Sequence, residues 1–190
     1  MNGTSCANAG RFVLLLLTVI LVLGGCSTAK VYTSPALTVS QNQQMVPVLP
    51  FASTLVPDSF AEAVFNDFVD GMNESRELSG FTWFGIIKDD LKEVERILPP
   101  AHIYISGEIW SYIENAGCCS TELRVKSRLR IYRVQSRELL WETEIPLEGF
   151  FEHDVSTLAV ERDKLGRRLA AAMTQATTKA LQSAKRIVVE

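Results

Sequence analysis

A single α/β domain of the α+β kind, a sandwich with element order β-α-β-α-β-β-β-α, is the fold class this sequence predicts. Three observations predict it. Phe60, Val64, Phe65, Phe68 and Met72 recur at helical spacing. From His102 to Ile145 apolar and polar residues alternate with period two, in three runs separated by turn-type sequence. Residues 156–185 place Leu158, Leu165, Leu169, Met173, Ala176, Ala180 and Ala184 at three- and four-residue steps. Together these describe an antiparallel three-strand meander packed against helices, one of them long and C-terminal.

The chain opens on a segment that belongs to no domain. Met1 to Gly10 is uncharged, Arg11 adds one positive charge, and Phe12 to Leu23 is hydrocarbon apart from Thr18. As a helix, those twelve residues rise about 18 Å, against a hydrocarbon core of about 30 Å. The run is too short to span and has the shape of a secretory signal. Leu23-Gly24-Gly25-Cys26 at its end resembles the lipobox of bacterial lipoproteins. That resemblance implies removal of residues 1–25 and acylation of Cys26, with fatty acids such as palmitate, so that membrane lipid is one partner. Two or more acyl chains anchor stably, at about 0.8 kcal/mol per buried methylene. Ser27 stands where aspartate is the usual inner-membrane retention signal in enteric bacteria. The outer membrane, with the domain facing the periplasm, is the expected location.

Residues 26–44 form the lipidated cysteine and a stretch rich in Ser, Thr, Gln and Ala, which reads as a flexible tether. Its eighteen residues after Cys26 give an r.m.s. reach of about 25 Å. The domain is expected over residues 45–190. Met45 to Phe51 is a short strand, and Pro47 suggests an edge or irregular backbone. Asp58 or Ser59 is placed to cap the first helix, which should stop near Gly71 and Asn73. Phe81 to Phe84 is a second short strand. Lys88 to Leu98 is a second helix, with Ile87, Leu91, Val94 and Leu98 inward, ended by Pro99-Pro100.

In the meander, Ile103, Ile105, Ile109 and Ile113 point one way, and Tyr104, Glu108, Trp110 and Tyr112 the other. In the next strand Leu123, Val125, Leu129 and Ile131 face in, and Arg124, Lys126, Arg128 and Arg130 face out. With Ile113 opposite Leu123, Ile105 meets Ile131 and Glu108 meets Arg128. With Ile131 opposite Trp141, Arg128 meets Glu144 and Arg130 meets Glu142. Both hairpins then pair apolar with apolar and opposite charges together. Val188 and Val189 are expected as a short edge strand after the long helix.

Removing residues 1–25 leaves 165, enough for one domain with a sizeable core. With Arg11 gone, 18 basic residues face 22 acidic ones, which argues against a general nucleic-acid binder. Of four cysteines, Cys6 leaves with the signal and Cys26 takes lipid, so Cys118 and Cys119 remain as an adjacent pair. A vicinal disulfide, a bond to another chain and free thiols are all open to them, a local structural role being favoured.

Several short motifs share a family likeness. They are the Val-Pro-Val-Leu-Pro-Phe strand and Phe-rich helix after the lipobox, Tyr-Ile-Ser-Gly-Glu-Ile over Tyr104 to Ile109, Leu-Arg-Ile-Tyr-Arg-Val over Leu129 to Val134, and Glu-Leu-Leu-Trp-Glu over Glu138 to Glu142. The chain resembles the periplasmic lipoproteins related to the curli-assembly lipoprotein and to the lipoprotein activator of penicillin-binding proteins. Their shared domain is similar to the N-terminal domain of the Tol-system propeller protein. The hairpin turn Arg133 to Arg137 lacks the glycine usual in that group, and Gly117-Cys118-Cys119 also departs from it. The resemblance implies action by binding or assembly. A curli-type transmembrane barrel is not expected, because Arg124, Lys126, Arg128 and Arg130 would each cost about 2–4 kcal/mol at mid-bilayer.

No catalytic motif is present to argue from. His102 reads as a capping or surface residue, and Glu152-His153-Asp154 are neighbours in a loop that do not converge on a metal. No catalytic residue, cofactor or metal is therefore expected. The distinctive surface is the outward sheet face, where Tyr104, Trp110, Tyr112, Arg124, Lys126, Arg128 and Arg130 gather aromatic and arginine side chains typical of interface anchors. The competing reading is a solvated charge ladder, or a face that a helix covers. The expected function is a lipid-anchored, non-catalytic module that docks on a periplasmic or outer-membrane protein. The alternatives are a subunit of a self-assembled secretion ring and a cell-wall hydrolase with an unrecognised site.

Overall fold

The computed structural model describes residues 30–88 and 91–187. Four short strands come first, β1 (Lys30–Thr33), β2 (Thr38–Ser40), β3 (Met45–Val48) and β4 (Ala52–Ser53). Helix α1 (Asp58–Glu74), a single turn α2 (Arg76–Ser79), β5 (Trp83–Ile86) and α3 (Leu91–Ile97) follow. The meander is β6 (Ile103–Ala116), β7 (Ser120–Arg133) and β8 (Leu139–Glu152), and the chain closes with α4 (Leu158–Ser183) and β9 (Lys185–Ile187). One seven-stranded mixed sheet runs in the order β1-β8-β7-β6-β3-β5, with β4 beside β6, and β2 pairs separately with β9.

The α+β class, the meander and the long terminal helix agree with the sequence. The element order is longer than expected, because β1, β2, β4, α2 and β9 are additional short elements. Part of the segment read as a tether is structured. Lys30–Thr33 pairs antiparallel with β8, Lys30 against Glu144 and Thr33 against Trp141. Val31, Tyr32 and Thr33 suit a strand, and β8 offers an open ladder of peptide groups to receive them. Leu37 and Val39 are buried in the main core. Arg133 holds the crossing segment by donating to the Ala36 carbonyl at 3.1 Å and the Thr38 hydroxyl at 3.0 Å. Residues 1–25, Cys26, Val188 and Val189 lie outside the described residues.

Pro47 sits in an interior strand, so of the edge or irregular backbone expected for it the edge is not what is found. The ladder that its missing N–H would interrupt is reduced, since β3 meets β6 only at Val48 and Ile105. Gln43 fills the gap with its side-chain amide, accepting from the Ile103 N–H at 2.9 Å and donating to the Ile103 carbonyl at 2.8 Å. Asn73 does the same for β5, accepting from the Phe84 N–H at 2.9 Å and donating to its carbonyl at 3.0 Å.

Helices α1 and α4 lie against one face of the sheet. Phe60, Val64, Phe68 and Met72 of α1 meet Leu165, Leu169 and Met173 of α4 in the main core, together with Ile105, Leu129 and Ile131 from the strands. The cap of α1 is Pro57 without a side-chain hydrogen bond, not Asp58 or Ser59, whereas α4 is capped by the Thr157 hydroxyl. Gly71 lets the two helices close up, since a Cβ there would stand 2.8 Å from Thr174 Oγ1.

The register follows expectation through the lower meander: Ile105 opposes Ile131, Glu108 opposes Arg128, Arg130 opposes Glu142 and Arg128 opposes Glu144. A bulge between Ile109 and Ser111 then adds one residue to β6. Above it Ile113 opposes Arg124, not Leu123, and Tyr112 opposes Val125. One extra residue in a strand of period two exchanges its faces. Tyr112 therefore turns toward the helices, against Phe60 with ring centroids 4.9 Å apart. Ile113 turns outward and is 49% exposed.

Candidate docking face

The side of the sheet away from α1 and α4 has three zones. At the lower end a second small core of Val94, Tyr104 and Val134, with Leu49, Ile87, Leu98 and Tyr132 packed on it, covers the sheet with α3. Tyr104 is 4% exposed and stacks on Tyr132 with centroids 5.3 Å apart. Burial, and then Tyr132, push the Tyr104 hydroxyl up to about 12. Tyr104 thus leaves the docking surface expected of it. Tyr112 leaves it through the bulge, donating to Glu114 at 2.5 Å while Arg162 of α4 donates to its hydroxyl at 3.0 Å.

The middle zone is a charge lattice that β6, β7 and β8 assemble from facing residues. Arg128 donates to Glu108 at 3.2 Å and to Glu144 at closer range, and its Nε lies 3.8 Å from Glu142. Arg130 donates to Glu142 at 2.7 Å and to Glu108 at 3.1 Å. The hydrogen bond from Arg128 holds the Glu144 carboxyl below its ordinary value. Two guanidinium groups thus share three carboxylates, each arginine donating to two of them through separate N–H groups.

Above the bulge the face is open. Trp110 is 42% exposed, with Lys126 Nζ 5.3 Å and the Arg128 guanidinium 5.9 Å from its ring centroid. Arg124 is exposed and paired with Glu122 at 2.6 Å. A shallow cavity of about 220 Å³ lies between Lys30, Trp110, Lys126 and Pro146. Lys30 and Tyr32 were missed as members of this face, though the Lys-Val-Tyr-Thr alternation carries the strand signal that places them there.

Cys118 and Cys119 occupy the β6–β7 turn, both exposed and unbonded, with sulfurs 3.3 Å apart. His153 shares a 2.8 Å hydrogen bond with Thr121. His102 is partly withdrawn from solvent, its Nδ1 has no hydrogen-bond partner, and burial pulls its imidazole pKa down. Among the described residues no group of three or more His, Cys, Asp or Glu is placed to hold a metal ion. No described helix is long and apolar enough to cross a membrane. On the opposite side of the molecule a groove of about 920 Å³ runs between α1 and α4, with Asp67, Asp70 and Glu74 on one wall and Arg167 and Lys179 on the other.

No protein-family model matches the chain, and no curated protein sequence does. Solved structures share its fold. The PelC dodecamer from Paraburkholderia phytofirmans superposes with a TM-score of 0.53 at 15% identity, over 77% of this chain and 96% of that one. A neuraminyllactose-binding hemagglutinin homolog from Helicobacter pylori gives 0.50 at 11%, over 80% and 90% of the two chains. Lipoprotein GNA1162 from Neisseria meningitidis gives 0.44 at 10%, over 70% and 97%. At such identities the likeness to the first two is one of fold.

Proposed function

We propose that this chain is a lipid-anchored lipoprotein of a bacterial outer membrane, held through Cys26 with its domain in the periplasm. It acts without catalysis, as a docking and assembly module for another envelope protein. One observation carries the docking part: the sheet keeps one face largely bare while both long helices take the other. That bare face holds Tyr32, Trp110, Arg124, Lys126, Arg128 and Arg130 in the four-strand frame β1-β8-β7-β6. Aromatic and arginine side chains on rigid strands suit an interface anchor, because little conformational entropy is lost when they are covered.

The test is crosslinked capture from the native envelope, comparing wild type with Arg130→Glu/Tyr32→Ala. Loss of a defined partner from the double variant, with its melting transition retained, supports docking on this face. Recovery of the same partner at full yield removes it.

A second reading, assembly of this chain with itself, draws on the PelC likeness, which covers nearly the whole of a protein described as a dodecamer. Its test is the particle mass in detergent across a dilution series. A fixed multimeric mass supports the ring, and a monomer at every concentration rejects it.

A further inference from the structure

The structure leaves little chain between the acylated cysteine and the folded domain. Cys26 precedes Lys30, the first residue of β1, by four positions, so their Cα atoms are at most about 14 Å apart. The direction is also set. β1 runs antiparallel to β8 with Thr33 at Trp141 and Lys30 at Glu144, so the amino end of β1 lies on the side of the upper half of β8, Ile145 to Glu152. Among the described residues no strand pairs with that half on its outer edge. An acyl chain on Cys26 would thus enter the bilayer beside the part of the sheet that lies above the bulge.

The surface found there suits lipid headgroups. Trp110, Ile113 and Phe150 are 42%, 49% and 68% exposed, and all three point to the outward face. Lys30 and Lys126 flank Trp110 across the shallow cavity, which Glu144, opposite Lys30 and engaged by Arg128, also lines. Tryptophan rests at the membrane–water interface, where its ring is apolar and its N–H is wet. Lysine buries its stem and sends its ammonium group to phosphate, and anionic lipid adds attraction within a Debye length. Across the molecule, the groove between α1 and α4 sets Asp67, Asp70 and Glu74 against Arg167 and Lys179 and, among the described residues, exposes no tryptophan.

We infer that the outward face above the bulge, centred on Trp110, Lys126 and Lys30, lies against the headgroups of the anchoring bilayer. The occupant is the lipid surface itself. The helical groove then faces the periplasm, and the arginine–glutamate lattice stands at the margin of the contact. This orientation rests on Cys26 being the acylated residue; it gives Trp110 and Lys126 to lipid and leaves Tyr32, Arg128 and Arg130, toward the lower end of the face, for a protein partner.

The experiment uses the full chain, exported and processed, with its N-terminal mass measured. It is reconstituted in vesicles of phosphatidylethanolamine and phosphatidylglycerol that carry brominated acyl chains as a quencher. The chain has three tryptophans, of which Trp141 is buried and Trp83 lies exposed on the opposite edge of the sheet. The expected result is a quenchable component that is lost in Trp110→Phe and kept in Trp83→Phe. It also shrinks in Lys30→Glu/Lys126→Glu when phosphatidylglycerol is present. Equal quenching in wild type and Trp110→Phe, with acylated Cys26 present, overturns the orientation and leaves the lipoprotein reading standing. Trp110 shielded from the quencher together with a doubled particle mass overturns it in favour of a second copy. An unacylated Cys26 overturns the lipoprotein reading and the orientation with it.

Discussion

The exchange of faces at the β6 bulge makes an asymmetric prediction about two adjacent residues. In the structure Tyr112 packs on Phe60 and Ile113 projects to solvent. A regular strand would reverse them. Tyr112→Ala removes a partly buried ring, about 100 Å² of apolar contact, worth about 2.5 kcal/mol at about 25 cal/mol per Å². The tilted pair with Phe60 adds about 0.5–1.5 kcal/mol. A loss of about 3 kcal/mol lowers the midpoint of thermal unfolding by about 6–12 °C for a domain of this size. Ile113→Ala removes an exposed side chain and costs less than about 1 kcal/mol, mostly in β-propensity. The assay is thermal unfolding of both variants followed by circular dichroism. If Ile113→Ala lowers the midpoint more than Tyr112→Ala does, the bulge is not where the structure puts it, and the assignment of Ile113 to the outward face goes with it.

Three further outcomes are expected. Gly107→Ala should lose about 1–3 kcal/mol on chemical denaturation, because its Cβ would stand 2.7 Å from the Phe51 ring and 2.9 Å from a Leu129 methyl. Acid should destabilise the fold below the ordinary carboxylate value of 4.5. The Glu144 carboxyl titrates lower when folded than when unfolded, so its contribution is complete above that value and is lost as pH falls through the folded pKa. Arg128→Met should flatten this part of the melting profile, and an unchanged profile would exclude the Arg128 contact as its source. In alkali, phenolate absorbance should show Tyr104 and Tyr112 ionising near 12, both raised chiefly by burial. Their contribution to stability is complete below the ordinary tyrosine value of 10 and is lost as pH rises through 12. Tyr112→Phe should remove one late-titrating group.

How far these features were legible in the sequence differs from element to element. The α1 stripe was plain because Phe60, Val64, Phe68 and Met72 sit on one helical face and nothing interrupts them. The β7–β8 register was plain because only one alignment puts Arg128 and Arg130 opposite glutamates while burying Ile131 against Trp141. The bulge was not legible. It carries no glycine or proline, and Ile109, Trp110, Tyr112 and Ile113 are large apolar or aromatic residues on either side of the shift, so the change of phase leaves no polar mark. Tyr104 shows a related limit: alternation says which face a side chain takes, not whether α3 comes back to cover it. β1 was hidden by length, since four residues among serines and threonines carry little apolar signal until a neighbouring strand supplies the ladder. Pro47 misled for the opposite reason. The rule that sends proline to edges assumes a backbone partner for every strand, and here the Gln43 amide takes that place.

The pairing of β2 with β9 has a bearing on when the domain becomes a solid object. Thr38 to Ser40 lies beside Lys185 to Ile187, so the ladder joins positions 147 residues apart. Arg186 tightens the join by donating to the Ser79 carbonyl and lying over the Phe81 ring, 4.8 Å from its centroid. Contacts of such sequence separation are closed late, after the entropy of the whole intervening loop has been given up. A chain that emerges amino-end first, from a ribosome or through a membrane pore, keeps β2 without its partner strand until Lys185 to Ile187 have appeared. A copy cut before Lys185 would lack that partner, and the segment around Val39 would be open to proteolysis where the intact ladder holds it.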